Sequence, residues 1–153
     1  MTHDHFRRSI LVSADAHSAF AALTTGIEHW WTKPDHPIAQ VGDRAKFTFP
    51  PGKSFWTFEA VRLDAPHRVE MTCVEALHLH EGMPHEIEQE WLGTTVVWTI
   101  TQDGDQTRID LEHRGLNPAL LCFDVCQAGW DMFFTGSLKA YLDSGVGRPH
   151  RAD

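Results

Sequence analysis

The stretch NPALLCFDVCQAGWDMFFTGSLKAYLDSG, from Asn117 to Gly145, carries the longest helical pattern in the chain. Asn117 is a good N-cap and Pro118 suits the first helical position. Gly145 is placed to end the helix. Cys122, Cys126, Trp130, Phe133, Ser137 and Tyr141 recur at three- and four-residue spacing, so they share one face. The spacing predicts a helix over about 118–144, on the order of 40 Å long at 1.5 Å per residue. A helix of that length spans a whole sheet, and the sheet has to come from the residues before it.

Those residues read mainly as strands. FRRSILVS (6–13) alternates and is rich in β-formers. ADAHSAFAALT follows as a short helix capped by Asp15, and IEHWWT as another helical turn. From Val41 onward the period is two, through RAKFTF, SFWTFEAVRLD, HRVEMTCVEA, GTTVVWTITQ and QTRIDLEH. The last two form a hairpin around Asp103-Gly104-Asp105. One alternate set in these strands is apolar: Val61 and Leu63, then Val69, Met71 and Cys73, then Val96, Trp98 and Ile100, then Ile109 and Leu111. Their neighbours are mostly charged, which describes an antiparallel sheet with one covered and one wet face. A curved sheet around a long helix leaves room for a small-molecule cavity between them.

The 153 residues fit a single domain, 1–153, with no internal repeat. The net charge of −8 argues against a sequence-independent grip on nucleic acid. No apolar run is long enough for membrane insertion, and MTHDHFRRSI has no apolar signal core. Three cysteines without a signal peptide point to a reduced, cytoplasmic protein. No P-loop, dinucleotide fingerprint, HExxH, GxSxG or CxxC pair occurs, so no cofactor is expected.

Three stretches carry a resemblance over nearly the whole chain: ILVSADAHSAFAALTTGIEHWW, EWLGTTVVWTITQDGDQTRIDLEHRGL and LCFDVCQAGWDMFFTGSLKAYLDSGVGRP. The third is the most specific, with its C-x₃-C-x₂-GW pattern followed by GSLK and G-x-G-x-P. Together they resemble the SRPBCC superfamily, also called START-like or birch-pollen-allergen-like. Within it they look most like the bacterial branch similar to activators of the heat-shock-protein-90 ATPase. The resemblance implies an α+β helix-grip fold: a curved antiparallel sheet of about six or seven strands wrapped around the long C-terminal helix, with two short helices after the first strand. It also implies a hydrophobic pocket between sheet and helix. It implies no reaction, since function lives in the site rather than the fold.

Alternation places two ionisable groups on the inner face. Glu59 falls in phase with Val61 and Leu63, and His113 in phase with Ile109 and Leu111. Buried, they either anchor a polar group of a ligand or act as acid and base. The alternative is that each sits at the rim or bonds to backbone or water. Trp31, Met71, Cys73, Trp91, Trp98, Cys126, Trp130 and Phe133 complete the expected ligand-contacting set; an aromatic-rich core is the competing reading. Trp56 and Phe58 share the face opposite Glu59. If that face is wet, they form an exposed patch for a partner or a homodimer contact.

No metal centre is expected. Cys122 and Cys126, with Cys73 and His113 in reach, read as small buried hydrophobes. His78, His80 and His85 in ALHLHEGMPHEIEQEW read as a solvated hairpin at the pocket's edge. Three functions stay open: binding of a small hydrophobic or aromatic molecule, a cyclase- or dehydratase-type enzyme on a polyketide-like substrate, and a co-chaperone-like interaction module. Binding without catalysis is the preferred reading.

Overall fold

A computed structural model describes residues 5–49, 54–78 and 85–149. Six strands form one antiparallel sheet: β1 (Phe6–Val12), β2 (Arg44–Phe49), β3 (Ser54–Asp64), β4 (Arg68–Leu77), β5 (Thr95–Asp103) and β6 (Gln106–Arg114). Their order is β1-β6-β5-β4-β3-β2, so the meander β2 to β6 is closed by β1 on its far edge. Between β1 and β2 lie helix α1 (Ala16–Ala22) and a 3₁₀ turn (Ile27–His29). Asp15 caps α1 by accepting the Ser18 N–H at 2.7 Å.

The C-terminal helix runs without a break through α2 (Phe123–Trp130), a π-helical segment (Asp131–Leu138) and α3 (Lys139–Ser144). It begins later than the expected Pro118. The Asn117 side chain spends its oxygen on the Ala119 N–H at 2.8 Å, which closes a separate turn before the helix. The helix start is capped from across the chain instead. Glu90 accepts the N–H groups of Leu121 and Cys122, each at 2.9 Å. Gly145 ends the helix in the left-handed region (φ 86°), as expected of a glycine C-cap.

The π-helical segment also sets the buried face. Cys126, Trp130, Phe134, Leu138 and Leu142 are all buried at spacings of four. A regular α-helix would carry such a row slowly around its axis, and the wider π turn keeps it on the sheet. Phe134 therefore takes the core position, while Phe133 is only partly buried. The helix is tied to β1 by polar contacts. Arg8 donates to Asp131 at 2.8 Å, the Ser13 N–H to Asp143 at 2.8 Å, and the Lys139 ammonium to the Leu11 carbonyl at 2.6 Å. Among the described residues, no helix is long and apolar enough to cross a membrane.

Alternation holds through β5 and β6, where Val96, Trp98, Ile100, Ile109, Leu111 and His113 are all buried. It fails in β3 and β4, because two bulges interrupt their pairing. The register passes from Ala60↔Met71 to Arg62↔Glu70, leaving Val61 as an extra residue; it passes from Thr57↔Glu75 to Phe58↔Cys73, leaving Val74 extra. Each bulge shifts the inside–outside phase by one. Ala60, Phe58 and Trp56 consequently face inward, and Val61 is exposed. Glu59 faces outward, where its carboxylate pairs with Arg44 at 2.7 Å. The expectation of an inward Glu59 is thus corrected, and so is that of an outward Trp56/Phe58 patch. With Trp56 and Phe58 buried, these two residues form no exposed patch for a partner contact.

After the helix the chain folds back over it. The Ser137 hydroxyl donates to the Trp30 carbonyl and accepts the Arg148 N–H, both at 2.7 Å. Gly147 passes so close to the 3₁₀ turn that a Cβ there would lie 2.2 Å from the His29 carbonyl oxygen. Gly147→Ala is expected to lower stability by on the order of 1–3 kcal/mol, as overpacking does. The check is a drop in urea midpoint at unchanged slope.

Candidate functional site

A cavity of about 140 Å³ opens between α2 and the sheet, walled by Trp31, Trp56, Trp91, Trp130 and Phe133 with His78, Val125, Cys126 and Gly129. Each element delivers its residues for a local reason. The Val61 bulge turns Trp56 (in β3) inward, and the Val74 bulge does the same for His78 (just after β4). The 3₁₀ turn His85–Gln89 hands on to Trp91, and the His78 N–H is anchored to the Glu88 carbonyl at 2.8 Å. Trp31 follows the first 3₁₀ turn and stacks on Phe47 at 4.8 Å. Trp91 lies parallel to Trp130 (6.0 Å, 8°) and against Trp56 (4.8 Å). The result is a cup of aromatic rings with few polar atoms.

Of the residues expected to contact a ligand, the cavity brings together Trp31, Trp91, Cys126, Trp130 and Phe133. Met71, Cys73 and Trp98 are core residues away from it. The Cys73 thiol donates to the Glu75 carbonyl at 3.2 Å, and burial pushes it up to about 12, so it stays protonated. Trp98 packs edge-on against Trp30 and Trp130. Trp56, His78, Val125 and Gly129 also line the cavity and were not anticipated. The trace of the first is a switch of apolar phase inside SFWTFEAVRLD, from Trp56 and Phe58 to Val61 and Leu63. His80 lies outside the described residues.

His113 points inward but stops short of the cavity. It is fully buried in a directed chain of hydrogen bonds. The Trp130 indole N–H donates to Nδ1 at 3.1 Å. That fixes the proton on Nε2, which lies 2.8 Å from the Thr94 hydroxyl and donates to it. Thr94 in turn donates to the Trp91 carbonyl at 2.6 Å. Burial, with a smaller contribution from His5, holds the imidazole neutral down to about 3. Both nitrogens are occupied, so the chain positions two cavity-wall tryptophans rather than moving protons.

The polar end of the cavity is a thiol–imidazole cluster. One ligand atom each of His78, Cys122 and Cys126 lie within 4.8 Å of one another, and all three residues are buried. The Trp91 N–H donates to the Cys126 sulfur at 3.1 Å. The Cys126 thiol donor, helped by His78, holds Cys122 down to about 6, and Cys126 is pushed far up by that same bond and by burial.

A curved antiparallel sheet gripping a long C-terminal helix over an internal cavity is the helix-grip fold of the SRPBCC superfamily. Within it, the chain belongs to the family described as activator of Hsp90 ATPase homolog 1-like proteins, whose model matches residues 13–143. The solution structure of the Aha1 dimer from Colwellia psychrerythraea is similar with a TM-score of 0.75 at 24% identity, over 95% of this chain and 100% of that one. The crystal structure of DynU16, a putative protein in the dynemicin biosynthetic locus, gives 0.70 at 18%, over 95% of this chain and 49% of that one. Protein MLL2253 from Mesorhizobium loti gives 0.66 at 20%, over 85% and 92%. At these identities the likeness is one of fold. No curated protein matches the sequence.

Proposed function

We propose that this protein binds a small, uncharged aromatic or hydrophobic molecule in the cavity between α2 and the sheet. The observation that carries the reading is the aromatic cup of about 140 Å³ with Gly129 in its wall. Gly129 sits inside α2, where glycine lowers helix stability by roughly 0.5–1 kcal/mol relative to alanine. No steric contact calls for it, because a Cβ at that position would meet nothing within 4 Å. Its effect is to leave the space open.

The volume sets the size of the occupant. An apolar protein cavity of about 150 Å³ takes up benzene. Sites for drug-sized ligands run to about 300–1,000 Å³. A one- or two-ring compound therefore suits this cavity, and a fused-ring polyketide exceeds it. Catalysis by Glu59 and His113 has lost its geometry, since one faces solvent and the other is a satisfied neutral imidazole. Binding without turnover follows.

Four tryptophans line the cavity, so titration with benzene, toluene and indole can be followed by intrinsic fluorescence in EDTA-containing buffer. Saturable 1:1 quenching is expected in the natural protein. Gly129→Leu, which fills the space, should abolish it while raising the thermal midpoint. If no single-ring compound saturates, or Gly129→Leu binds as well as the parent, the cavity is a packing void and the reading fails.

A further inference from the structure

We propose that His78, Cys122 and Cys126 form a site for a soft divalent cation of the zinc class, with its open fourth position facing the aromatic cavity. The set is two thiol sulfurs and one imidazole, the ligand chemistry that soft and borderline cations select. Tetrahedral coordination at zinc–ligand distances places the donor atoms about 3.5–4 Å apart. The three donor atoms here already lie within 4.8 Å of one another, so closure takes about an ångström of side-chain movement.

The surroundings are those of a supported site. Cys122 is the N-cap residue of α2 and Cys126 lies one turn further on, and the helix start is pinned by Glu90, which accepts the Leu121 and Cys122 N–H groups. That carboxylate also adds negative potential beside the two sulfurs. The Trp91 N–H donates to the Cys126 sulfur, the kind of outer hydrogen bond that orients a thiolate ligand. His78 is held by its backbone bond to Glu88 and by its ring packed at 5.2 Å on Trp56. A disulfide is the competing use of the two cysteines, and four-residue helical spacing aims their Cβ vectors poorly for it. Three protein ligands complete only part of a tetrahedral shell, which is the arrangement of exchangeable rather than purely structural sites. Because His78 and Cys126 both border the cavity, the vacant direction points into it.

The test uses the full chain, reduced and freed of metal, titrated with Co²⁺ and then with Zn²⁺ as competitor. Expected is one Co²⁺ per chain, with thiolate-to-cobalt charge-transfer bands and the intense visible bands of tetrahedral geometry, all displaced by Zn²⁺. His78→Gln, Cys122→Ser and Cys126→Ser should each weaken Zn²⁺ by more than the 10–100-fold typical of losing an outer partner. Cys73→Ser should change nothing. Should a cysteine variant fail to fold, the charge-transfer bands of the natural protein still decide whether sulfur binds the ion. Absence of those bands, or affinity unchanged in His78→Gln, overturns the proposal. The ligand titration above is run without metal, so either result stands apart from the other.

Discussion

Lowering the pH from 7 to 5 is expected to remove about 2 kcal/mol of folding stability through His113 alone. The sign follows from the two states. In the unfolded chain the imidazole takes up a proton near 6.5, whereas burial holds the folded one neutral down to about 3. Between those values the unfolded state binds a proton that the folded state refuses, so stability falls steadily as pH falls through the window. Below it both states are protonated and the loss levels off. His113→Gln keeps one donor and one acceptor on the side chain and removes the titration. Its stability at pH 7 should be lower, because the fit to Thr94 and Trp130 is poorer. Its decline from pH 7 to pH 5, read from urea midpoints, should be about 2 kcal/mol smaller than that of the natural protein. Equal declines would mean that His113 titrates normally and is in contact with water. An acid–base role would then be open again.

That prediction depends on a placement legible in the alternation of β6. His113 was put inward by counting from Ile109 and Leu111, and β6 has no bulge to upset the count. Glu59 was placed by the same rule and came out on the wrong face. The rule counts residues, whereas a bulge inserts one residue of backbone without a partner. The mixed phase of SFWTFEAVRLD is the mark that such an insertion leaves, and it was legible. What was not legible is where along β4 the matching slip falls. Val74 interrupts VEMTCVEAL, whose apolar residues fit either phase. That slip decides whether His78 meets solvent or Cys122. Similar logic applies to the helix. Its length and its C-terminal end at Gly145 follow from local chemistry, but its start is decided by Glu90, about thirty residues earlier in the chain, and its buried row by a π-helical segment. Long-range caps and backbone irregularities carry no periodic signal, and here they build the site.

Trp91→Ala is expected to be the most damaging single change in the cavity wall. The ring touches Trp56, stands edge-on to His113 at 4.5 Å, lies parallel to Trp130, and gives its N–H to Cys126. Truncating a buried tryptophan to alanine costs about 3–5 kcal/mol. The void it leaves is continuous with the existing cavity, so it should enlarge the binding space rather than collapse. Three-ring hydrophobic compounds that the natural protein rejects should then bind. Their binding should restore part of the lost stability, up to about 2.7 kcal/mol at a hundredfold excess over Kd. Trp91→Phe separates the two contributions of the ring. It keeps aromatic area and loses the N–H to sulfur, so a loss of about 1 kcal/mol is expected, with ligand size preference nearly unchanged. Thermal midpoints of the three proteins, with and without phenanthrene, provide the measurement. A Trp91→Ala protein within 1 kcal/mol of the parent, or one that gains no affinity for larger ligands, would place Trp91 outside the packed wall. A loss of several kcal/mol recovered by a bulky ligand would identify Trp91 as the residue that sets the size of what this cavity accepts.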